Sequence, residues 1–438
     1  MKRSVIFSIV CLAVALVAVA CGEISQIPES ETWGPNPKLG DVQHPLIPTV
    51  NVAEAQGWPE GGQPTAPQGW KVTPFATGLS HPRWLYVLPN GDVLVAESNK
   101  PQSQEKEKSS IRSFFEGIFM KKAGAGVPSA DRVTLLRDAN SDGVAETKAA
   151  LIENLRSPIG MALVGSDLYI ANADAIVKVP FKPGDTRIDA APVKVTDLPS
   201  GINHHWTKTL VASRDGSKLY VGVGSNSNVG ENGLDAEEGR AAVWEVDTAT
   251  GSKRMYASGL RNPVGIAWEP QTNALWAVAN ERDELGSDLV PDYLTSVQER
   301  AFYGWPWSYW GQHVDTRVDP PNPQKVASAK APDYSLGNHV APLGLAFADG
   351  KLPAPFANGA FVGEHGSWNR NPRAGYKVVF VPFNGGKPGA LPIEFLTGFL
   401  SPDGKAWGRP VGVALDGKGG VLVADDVGNA VWRVSPAK

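Results

Sequence analysis

One short phrase recurs six times along this chain, and it restricts the possible folds more than any other feature of the sequence. Its general form is P-x-G-φ-A, where φ is an apolar residue, and each copy continues into a turn and a second apolar run. Alternating apolar residues on both sides of a turn predict two paired strands with one buried face. The copies occupy residues 79–97, 155–172, 203–224, 260–280, 339–364 and 408–425.

The spacing of these copies, roughly 50 to 80 residues, leaves room for four strands and their loops in each repeat. We therefore predict an all-β chain folded as a six-bladed β-propeller. A pair of β-sandwiches would contain similar strands but would not explain the recurring phrase. The 47 glycines and 36 prolines favour tight turns and short strands, in agreement with a propeller.

A net charge of −4 provides no basic face, so nucleic acid is not an expected partner.

The N-terminus has the pattern of an export signal. Lys2 and Arg3 precede an apolar run that is too short for a confident membrane span, which predicts a signal peptide over residues 1–20. The run ends at "AVAC-G", which resembles a bacterial lipobox, so Cys21 is the expected first mature residue of a lipoprotein. We expect an exported, periplasmic or outer-envelope protein whose membrane anchoring, if any, is through the lipid on Cys21.

Two further segments follow the signal. Residues 21–66 are rich in proline, glycine and polar residues and predict an extended leader along the domain surface. Residues 67–438 contain all six copies of the phrase and are the predicted propeller. The other cysteine, Cys11, lies within the signal, so the folded domain is expected to contain no disulfide.

Long insertions predict that one face of the propeller carries the loops. Residues 99–130 are charged and then apolar, which predicts a mobile loop with a short helix. Residues 284–338 contain "FYGWPWSYWGQHVD", an aromatic sequence typical of a binding loop. Its tryptophans could stack on sugars or pack as a rigid loop on the propeller, and the sequence leaves both alternatives open.

Equivalent positions of the repeats converge at the channel of a propeller, since the first strand of each blade lines the axis. We align the six copies on the proline of the phrase, with Thr207 in its place in the third copy. The two residues before that aligned position then form one pair in each blade. A histidine (His205) and two arginines (Arg261 and Arg409) then meet at one mouth, where they would suit an anionic cofactor or substrate. The pairs are Ser80/His81, Arg156/Ser157, His205/Trp206, Arg261/Asn262, Val340/Ala341 and Gly408/Arg409.

The ends of the second strands converge in the same way. They could form hydrogen bonds between channel segments or provide oxygen ligands for a cation, and both alternatives remain open. These residues are Glu97, Asn172, Gly224, Asn280, Glu364 and Asp425. A separate stretch, "DANSDGVAE" at 138–146, resembles a calcium loop but lacks the final bidentate glutamate, which favours a polar hairpin turn.

Four stretches together resemble the glucose/sorbosone dehydrogenase family, and its sorbosone-dehydrogenase-like branch in particular. They are "HPRWLYVLPNGDVLVAES", "SGLRNPVGIAW", "ERAFYGWPWSYWGQHVD" and "FVGEHGSWNRNPRAGYKVV". The resemblance extends from about Gly69 to the C-terminus. It implies a six-bladed propeller that binds pyrroloquinoline quinone (PQQ) and Ca²⁺ over the channel mouth and oxidises a sugar or a sugar-derived aldehyde or hemiacetal.

The resemblance also implies roles for particular residues. His205 matches the catalytic base, Arg261 the arginine near the reacting quinone oxygens, and Asn262 a hydrogen-bond donor to the cofactor. Glu281 and Arg282 match the positions whose backbone carbonyls bind Ca²⁺.

Further matches concern the carboxylates of the cofactor. Arg409 matches an arginine that binds them. The cofactor lysine of the family has no direct match, and His365 or Arg370 would replace it. His204 stands where the glucose enzymes carry an acid, and "NLRSPIG" replaces their sugar-binding glutamine.

The expected partners are a sugar substrate and an electron acceptor, either a small mediator or a cytochrome. Two other functions remain possible from the sequence. A Ca²⁺-dependent propeller lactonase would use asparagine and carboxylate side chains at the axis, and a non-catalytic binding propeller would need no cofactor. Neither alternative explains why His205, Arg261 and Arg409 meet at one mouth.

Overall fold

The computed structural model describes residues 23–43, 49–102, 117 and 120–437. The predicted signal, residues 1–20, and Cys21 lie outside the described residues, as do residues 103–116, 118 and 119 of the insertion at 99–130. Within the described part of the chain, no helix is both long and apolar enough to span a membrane.

Nearly all regular structure is β-strand. Strand β1 (Trp70–Ala76) precedes the first repeat. Blade 1 consists of β2 (Pro82–Val87), β3 (Val93–Glu97), β4 (Arg132–Arg137) and β5 (Thr147–Ile152). Blade 2 consists of β6 (Met161–Val164), β7 (Asp167–Ala171), β8 (Ala175–Pro180) and β9 (Val193–Asp197). Blade 3 consists of β10 (Leu210–Ala212), β11 (Lys218–Val223), β12 (Ala242–Asp247) and β13 (Lys253–Ser258).

The second half of the ring carries the insertions. Blade 4 consists of β14 (Asn262–Trp268), β15 (Leu275–Asn280), β16 (Pro291–Ser296) and, after an insertion, β19 (Tyr334–Asn338). The insertion contains β17 (Ser308–Tyr309), β18 (His313–Val314) and the helix α1 (Pro323–Ser328). Blade 5 consists of β20 (Pro342–Phe347), β21 (Gly359–Glu364), β22 (Lys377–Asn384), β23 (Lys387–Pro388) and β24 (Ile393–Leu396). Blade 6 consists of β25 (Pro410–Leu415), β26 (Val421–Asp425) and β27 (Ala430–Pro436), and β1 is its fourth strand.

Three single helical turns complete the regular structure of the described residues: Glu29–Thr32, Lys121–Ala125 and Leu234–Glu237. The six sheets confirm the predicted six-bladed β-propeller. Each copy of the recurring phrase begins the innermost strand of a blade, and the second apolar run of each copy is the next strand.

A steric constraint explains why the phrase contains glycine. A Cβ on Gly265 would lie 2.6 Å from the carbonyl oxygen of Leu343, and one on Gly344 would lie 2.2 Å from that of Val411. Both clashes are with the innermost strand of the following blade. Because inner strands approach each other most closely around the axis, a side chain at this position would force neighbouring blades apart.

The middle of the channel is packed with apolar side chains. The residue before the phrase glycine in blades 2, 4, 5 and 6 belongs to a single buried cluster, together with Trp206. These residues are Ile159, Val264, Leu343 and Val411. The polar residues at the mouth, where the inner strands begin, therefore lie above a closed apolar core.

The described leader residues run along the mouth side of the propeller and hydrogen-bond to several blades. The amide of Ser25 donates to the carbonyl of Asn371 at 2.7 Å, and that of Asn51 donates to the carbonyl of Trp368 at 2.8 Å. Further along, the indole of Trp58 donates to Asp425 at 2.7 Å. These contacts tie the leader to the loops of blades 5 and 6.

Candidate functional site

His205 lies in the turn that leads into β10, beside the end of β11. Its Nδ1 atom is 2.9 Å from both the carbonyl oxygen and the hydroxyl of Ser225. A carbonyl oxygen only accepts hydrogen bonds, so Nδ1 carries the proton and Nε2 keeps its lone pair. Within the described residues no hydrogen bond engages Nε2, which leaves it able to accept a proton from a bound molecule.

The surroundings of His205 favour its neutral form. Burial lowers the pKa of His205 well below its usual value, and the nearby charges of Arg261 and His204 lower it further. The two histidine rings meet edge to face with their centroids 4.7 Å apart. The imidazole of His205 is therefore an unprotonated base at neutral pH.

Arg261 and Asn262, one blade further on, lie next to His205. A Cβ on Gly224 would be 2.5 Å from the Cβ of His205 and 2.3 Å from Oδ1 of Asn262, so glycine is needed where these two side chains converge. Arg261 donates to the carbonyl of Glu281 at 2.7 Å and pairs with Asp283 at 3.2 Å. The structure thus brings together the predicted residues of blades 3 and 4.

The segment after β15 is rich in buried oxygen atoms. Glu281 and Glu284 are both buried, and Oε2 of Glu284 lies 3.6 Å from Nη1 of Arg317. Asp283 contacts His339 at 3.3 Å, and the buried Arg282 pairs with Asp315. Residues 281–284 therefore concentrate backbone carbonyls and carboxylates, the types of oxygen atom that a hard cation binds.

A second cluster lies across the channel and is centred on Asp426. Its Oδ2 atom is 2.9 Å from Nε2 of His365, 3.6 Å from Nε2 of His81, and hydrogen-bonded to Arg83. The guanidinium of Arg83 also lies 5.9 Å from the ring of Trp206, next to His205. Arg83 thus links the Asp426 cluster to the turn that carries the candidate base.

Burial and neighbouring charges shift the pKa values of this cluster in opposite directions. Burial raises the pKa of Asp426, but His365, His81 and Arg83 outweigh it and hold that pKa far below its usual value. Burial lowers the pKa of His365 to about 4 despite the neighbouring carboxylate. Asp426 is consequently ionised at all physiological pH values and orients its three partners.

The two other predicted cofactor arginines contact the leader. Arg409 donates from Nη2 to the carbonyl of Ala53 at 3.0 Å and lies 5.1 Å from the ring of Tyr376. Arg370 donates to the hydroxyl of Ser25 at 3.0 Å and to the carbonyl of Pro372 at 2.9 Å. Arg409 adjoins His365, whereas the hydrogen bonds of Arg370 go to the leader and its own loop.

A cavity of about 430 Å³ lies between blades 6 and 1, beside the Asp426 cluster. Its polar wall includes Ser80, His81 and Asp426, and its apolar wall includes Leu79 and Val427. Leader residues 55–57 line it as well. The cavity gives a small molecule access to the edge of the mouth, because Asp426 contacts both the cavity and His365.

Four of the strand-end residues, Glu97, Asn172, Asn280 and Asp425, form hydrogen bonds with neighbouring segments, whereas Oε2 of Glu364 is buried with no hydrogen-bond partner among the described residues. Asp425 accepts bonds from the backbone of Arg409 at 2.8 Å and from the indole of Trp432 at 3.0 Å, while Glu97 pairs with Arg132 at 2.9 Å. Asn172 accepts from the backbone amide of Arg156 at 3.3 Å. Of the two alternatives from the sequence, these contacts favour the structural one.

The calcium-like loop at 138–146 forms the turn between β4 and β5, at the opposite end of blade 1 from the mouth. Ligand atoms of Asp138, Asp142 and Glu146 lie within 4.8 Å of one another. Their carboxylates accept backbone amides of the same turn, for example the Ala139 amide on Glu146 at 2.7 Å. This pattern agrees with the predicted polar hairpin turn.

The aromatic loop runs beside β13 and reaches the mouth. Phe302 forms a bridge with Ser258, and Trp305 is buried with its indole donating to the carbonyl of Asn228 at 2.9 Å. Trp307, which is only half-buried, donates to the carbonyl of Pro320 at 3.0 Å. Trp305 therefore packs as part of a rigid loop.

Several residues of the mouth are absent from the sequence-based prediction. The sequence does contain a signal for Arg83, because this arginine occupies a phrase position where blades 2, 4, 5 and 6 carry apolar residues. Asp426 and Asp283 had none, since each lies in a loop outside the repeat copies. His339 begins the fifth copy but was not selected, and Ser225, two positions after the second strand of blade 3, was also missed.

Together, the fold and the mouth define a class: a six-bladed β-propeller with a neutral histidine and several buried arginines around its channel opening. Comparison with protein families narrows this class. The TrAA12-like family matches residues 125–297 and 321–437, which is more than half of the chain. The protein belongs to the TrAA12-like family.

Individual relatives cover parts of the chain. An uncharacterized protein of Borreliella burgdorferi is 29% identical over 301 residues, which are 65% of this chain and 77% of that protein. A pyrroloquinoline quinone-dependent pyranose dehydrogenase of Coprinopsis cinerea is 27% identical over 236 residues, or 42% of this chain. That match spans only 31% of the Coprinopsis enzyme.

Solved structures share the fold at low identity. The holo form of the PQQ domain of Coprinopsis cinerea pyranose dehydrogenase has a TM-score of 0.67 and 21% identity, covering 88% of this chain and all of that one (100%). A calcium structure of the Trichoderma reesei family AA12 enzyme has a TM-score of 0.69 and 19% identity, covering 89% and 99% of the two chains. These structures are similar in architecture to the propeller described above.

Proposed function

We propose that this protein is a sugar dehydrogenase that uses PQQ as its redox cofactor and Ca²⁺ as the accompanying cation. The observation that carries the proposal is a neutral histidine base, His205, packed against Arg261 and Asn262 at a channel mouth surrounded by buried arginines. Family membership and relatives named as PQQ-dependent dehydrogenases of pyranoses and sugars support it. A structure named as the PQQ-bound form of an aldose sugar dehydrogenase has the same fold.

The side chains at the mouth fit an anionic cofactor. PQQ carries three carboxylates, and guanidinium groups bind carboxylates with paired hydrogen bonds. Arg83, Arg282 and Arg409 each have a buried Nε without a hydrogen-bond partner, as does Arg370 near the leader. Unpaired buried donors are costly to a folded protein unless a ligand engages them. These arginines would hold the cofactor carboxylates.

The donor atoms near Arg261 fit Ca²⁺. The resemblance assigns the carbonyls of Glu281 and Arg282 as its ligands, and the carboxyl groups of Glu281 and Glu284 are buried in the same segment. Calcium prefers six to eight oxygen ligands of mixed carbonyl and carboxylate type. The 281–284 segment would provide part of this set.

In the proposed mechanism, the residues of the chain bind the sugar and move its proton. When bound, PQQ supplies the two-electron acceptor chemistry that no side chain can provide. Nε2 of His205 accepts the proton of the sugar hydroxyl that is oxidised, because Nδ1 is already committed to Ser225. Arg261 stabilises negative charge that develops close to its guanidinium. The apolar channel core beneath the mouth excludes water from this side.

The proposed substrate is a sugar or a sugar-derived aldehyde or hemiacetal, of the aldose or sorbosone type. We further propose that the electrons pass to a small mediator or a cytochrome. In this proposal the protein is exported as a periplasmic or outer-envelope lipoprotein, held through Cys21. The signal-like sequence of residues 1–20 is the support for this location.

Reconstitution tests the proposed function. The purified chain is mixed with PQQ and Ca²⁺, and reduction of a dye is followed with a panel of aldoses and sorbosone; hydrolysis of lactones is measured in parallel. We expect dye reduction that requires PQQ, falls with a calcium chelator and returns when Ca²⁺ is added. Lactone hydrolysis without PQQ would favour the lactonase, and the absence of PQQ binding would rule out the dehydrogenase.

A further inference from the structure

The turn that carries His205 is hydrogen-bonded by two buried cations, Arg240 and Lys208. Arg240 precedes β12 and is 4% exposed, and Lys208 precedes β10 and is fully buried. No sequence pattern singled out either residue. Buried cations normally pair with carboxylates, so their partners in this blade are informative.

All hydrogen-bond acceptors of Arg240 in the described residues are uncharged. Its Nε donates to the carbonyl of Gly224 at 2.8 Å, and Nη1 donates to that of Pro199 at 3.0 Å. Nη2 donates to the carbonyl of His205 at 2.9 Å and to the side-chain oxygen of Asn203 at 3.2 Å. One guanidinium therefore fixes the backbone of the candidate base, the turn before it and the strand end beside it.

Lys208 binds the same turn from its other side. Its Nζ atom donates to the side-chain oxygen of Asn203 and to the carbonyl of Trp206, each at 3.0 Å. Asn203 has a φ of 52°, in the left-handed region. Its side-chain amide nitrogen donates to the carbonyl of Ala173 in blade 2 at 3.0 Å. The two cations thus hold Asn203 in a backbone conformation that costs energy by itself.

We propose that Arg240 and Lys208 are positioning residues for His205, which fix the backbone on both sides of the imidazole and so its place beside Ser225 and Arg261. The proposal rests on the proposed function, in which His205 is the catalytic base. Neither residue touches the reacting atoms, and both act through the turn. A displacement of about 1 Å in a catalytic group is enough to reduce a rate by about 100-fold.

The two residues differ in their electrostatic contribution. Arg240 keeps its charge, and with Arg261 and His204 it adds to the effect of burial in lowering the pKa of His205. Burial and the neighbouring Arg240 lower the pKa of Lys208 itself well below its usual value. Lys208 is not among the groups that shift the pKa of His205, so we expect Arg240 to contribute both hydrogen bonds and charge, and Lys208 to act through its hydrogen bonds.

The nearest carboxylates do not cancel the positive charge of Arg240 next to His205. Asp283 is engaged by Arg261 at 3.2 Å and contacts His339 at 3.3 Å. Glu237, the acid closest to Arg240, accepts the amide of Asn226 at 2.7 Å, and burial raises its pKa. The charged and titratable groups around His205 are thus Arg240, Arg261, His204 and Lys208, with these two acids behind them.

Three variants and one control separate the two contributions. Arg240→Met removes hydrogen bonds and charge, Arg240→Lys keeps the charge, and Lys208→Met removes only the hydrogen bonds. Arg433→Met is the control, since Arg433 pairs with Asp416 at 2.6 Å at the far end of blade 6. The pKa of His205 is measured by NMR in the full chain without cofactor, with its signal assigned through His205→Asn. The pH profile of kcat/KM is measured with PQQ and Ca²⁺.

We expect Arg240→Met to raise the pKa of His205 and to lower kcat by about 100-fold, and Arg240→Lys to keep that pKa low while restoring only part of kcat. Lys208→Met should lower kcat without moving the pKa, and the control should change neither. A folded Arg240→Met variant with an unchanged pKa and kcat would overturn the proposal. If that variant does not fold, full kcat in both Arg240→Lys and Lys208→Met would overturn it. Absence of PQQ-dependent activity in the unaltered chain would instead defeat the proposed function, and the NMR titration would still report on Arg240.

Discussion

The Nδ1 atom of His205 lies 2.9 Å from the carbonyl oxygen of Ser225, and this contact determines how the imidazole can act. The carbonyl requires a proton on Nδ1, so Nε2 is the basic atom. A carboxylate partner would stabilise the protonated ring, but neither the carbonyl nor the hydroxyl of Ser225 carries a countercharge. His205 is therefore a correctly oriented but weak base, suited to accept a proton and release it again.

Replacing the base should abolish most of the activity and leave the fold intact. We expect His205→Asn to lower kcat by about 1,000-fold, because positioned general bases contribute that order of rate. The measurement is PQQ-dependent dye reduction, with circular dichroism to verify the fold. His313→Asn is the matched control, since His313 is exposed and stacks on Tyr309 away from the base. Equal activity in both variants would contradict the assignment of His205.

The pH profile should reflect the lowered pKa of His205. Its neutral form is the active one, and burial holds its pKa well below the usual histidine value of 6.5. Lowering the pKa of a base extends its active form to lower pH, so kcat/KM should stay constant as the pH falls through 6.5. The rate should decline only at more acidic values. A decline centred at or above pH 6.5 in steady-state measurements would be incompatible with this environment.

A single methyl group at Gly224 should disturb the mouth. The added Cβ would lie 2.3 Å from Oδ1 of Asn262 and 2.5 Å from the Cβ of His205, so one of these side chains must move. We expect Gly224→Ala to lower kcat/KM by about 100-fold. Gly389→Ala is the control, because its Cβ would meet only the side chain of Asn384 at 3.9 Å. Crystal structures of both variants would reveal any shift, and an active Gly224→Ala enzyme would refute the crowding argument.

Removing the charge of Asp426 should destabilise the protein. Asp426→Asn would leave Arg83 buried without its carboxylate and would weaken the contacts to His365 and His81. Breaking a buried ion pair at one partner costs about 3 kcal/mol of the free energy of unfolding. Denaturant titration measures this change, and Asp403→Asn on the surface should give little change by comparison. A loss no larger than that of the surface variant would mean that the cluster does not depend on Asp426.

The sequence was sufficient for the architecture because the repeat phrase has a local cause. Gly265 and Gly344 are required where one inner strand meets the next, and the phrase carries this glycine in blades 2, 4, 5 and 6, whereas Trp84 and Thr209 occupy the position in blades 1 and 3. Counting the phrases gives the number of blades. The pairing of β1 with β27 could not be predicted in this way, because neither strand contains the phrase and they stand at opposite ends of the domain.

The candidate site was predictable only where it follows the repeat register. His205 and Arg261 stand at equivalent positions of consecutive blades, and the ring geometry brings such positions together. Asp426 and Arg83 are separated by 343 positions, and their contact depends on how the turn after β26 packs against the start of β2 in the neighbouring blade. Ser225 was missed for another reason: its main contribution is a backbone carbonyl, and every residue has one.

The closure of blade 6 by β1 also affects the order in which the protein can fold. Blade 6 is complete only when Trp70–Ala76 pairs with Ala430–Pro436. Until the last strand has been synthesised, β1 and β26 expose unpaired edges, and such edges readily pair with other chains. Ring closure therefore happens after synthesis of the whole domain. Loss of only the final strand would leave an open ring that is prone to strand exchange between molecules.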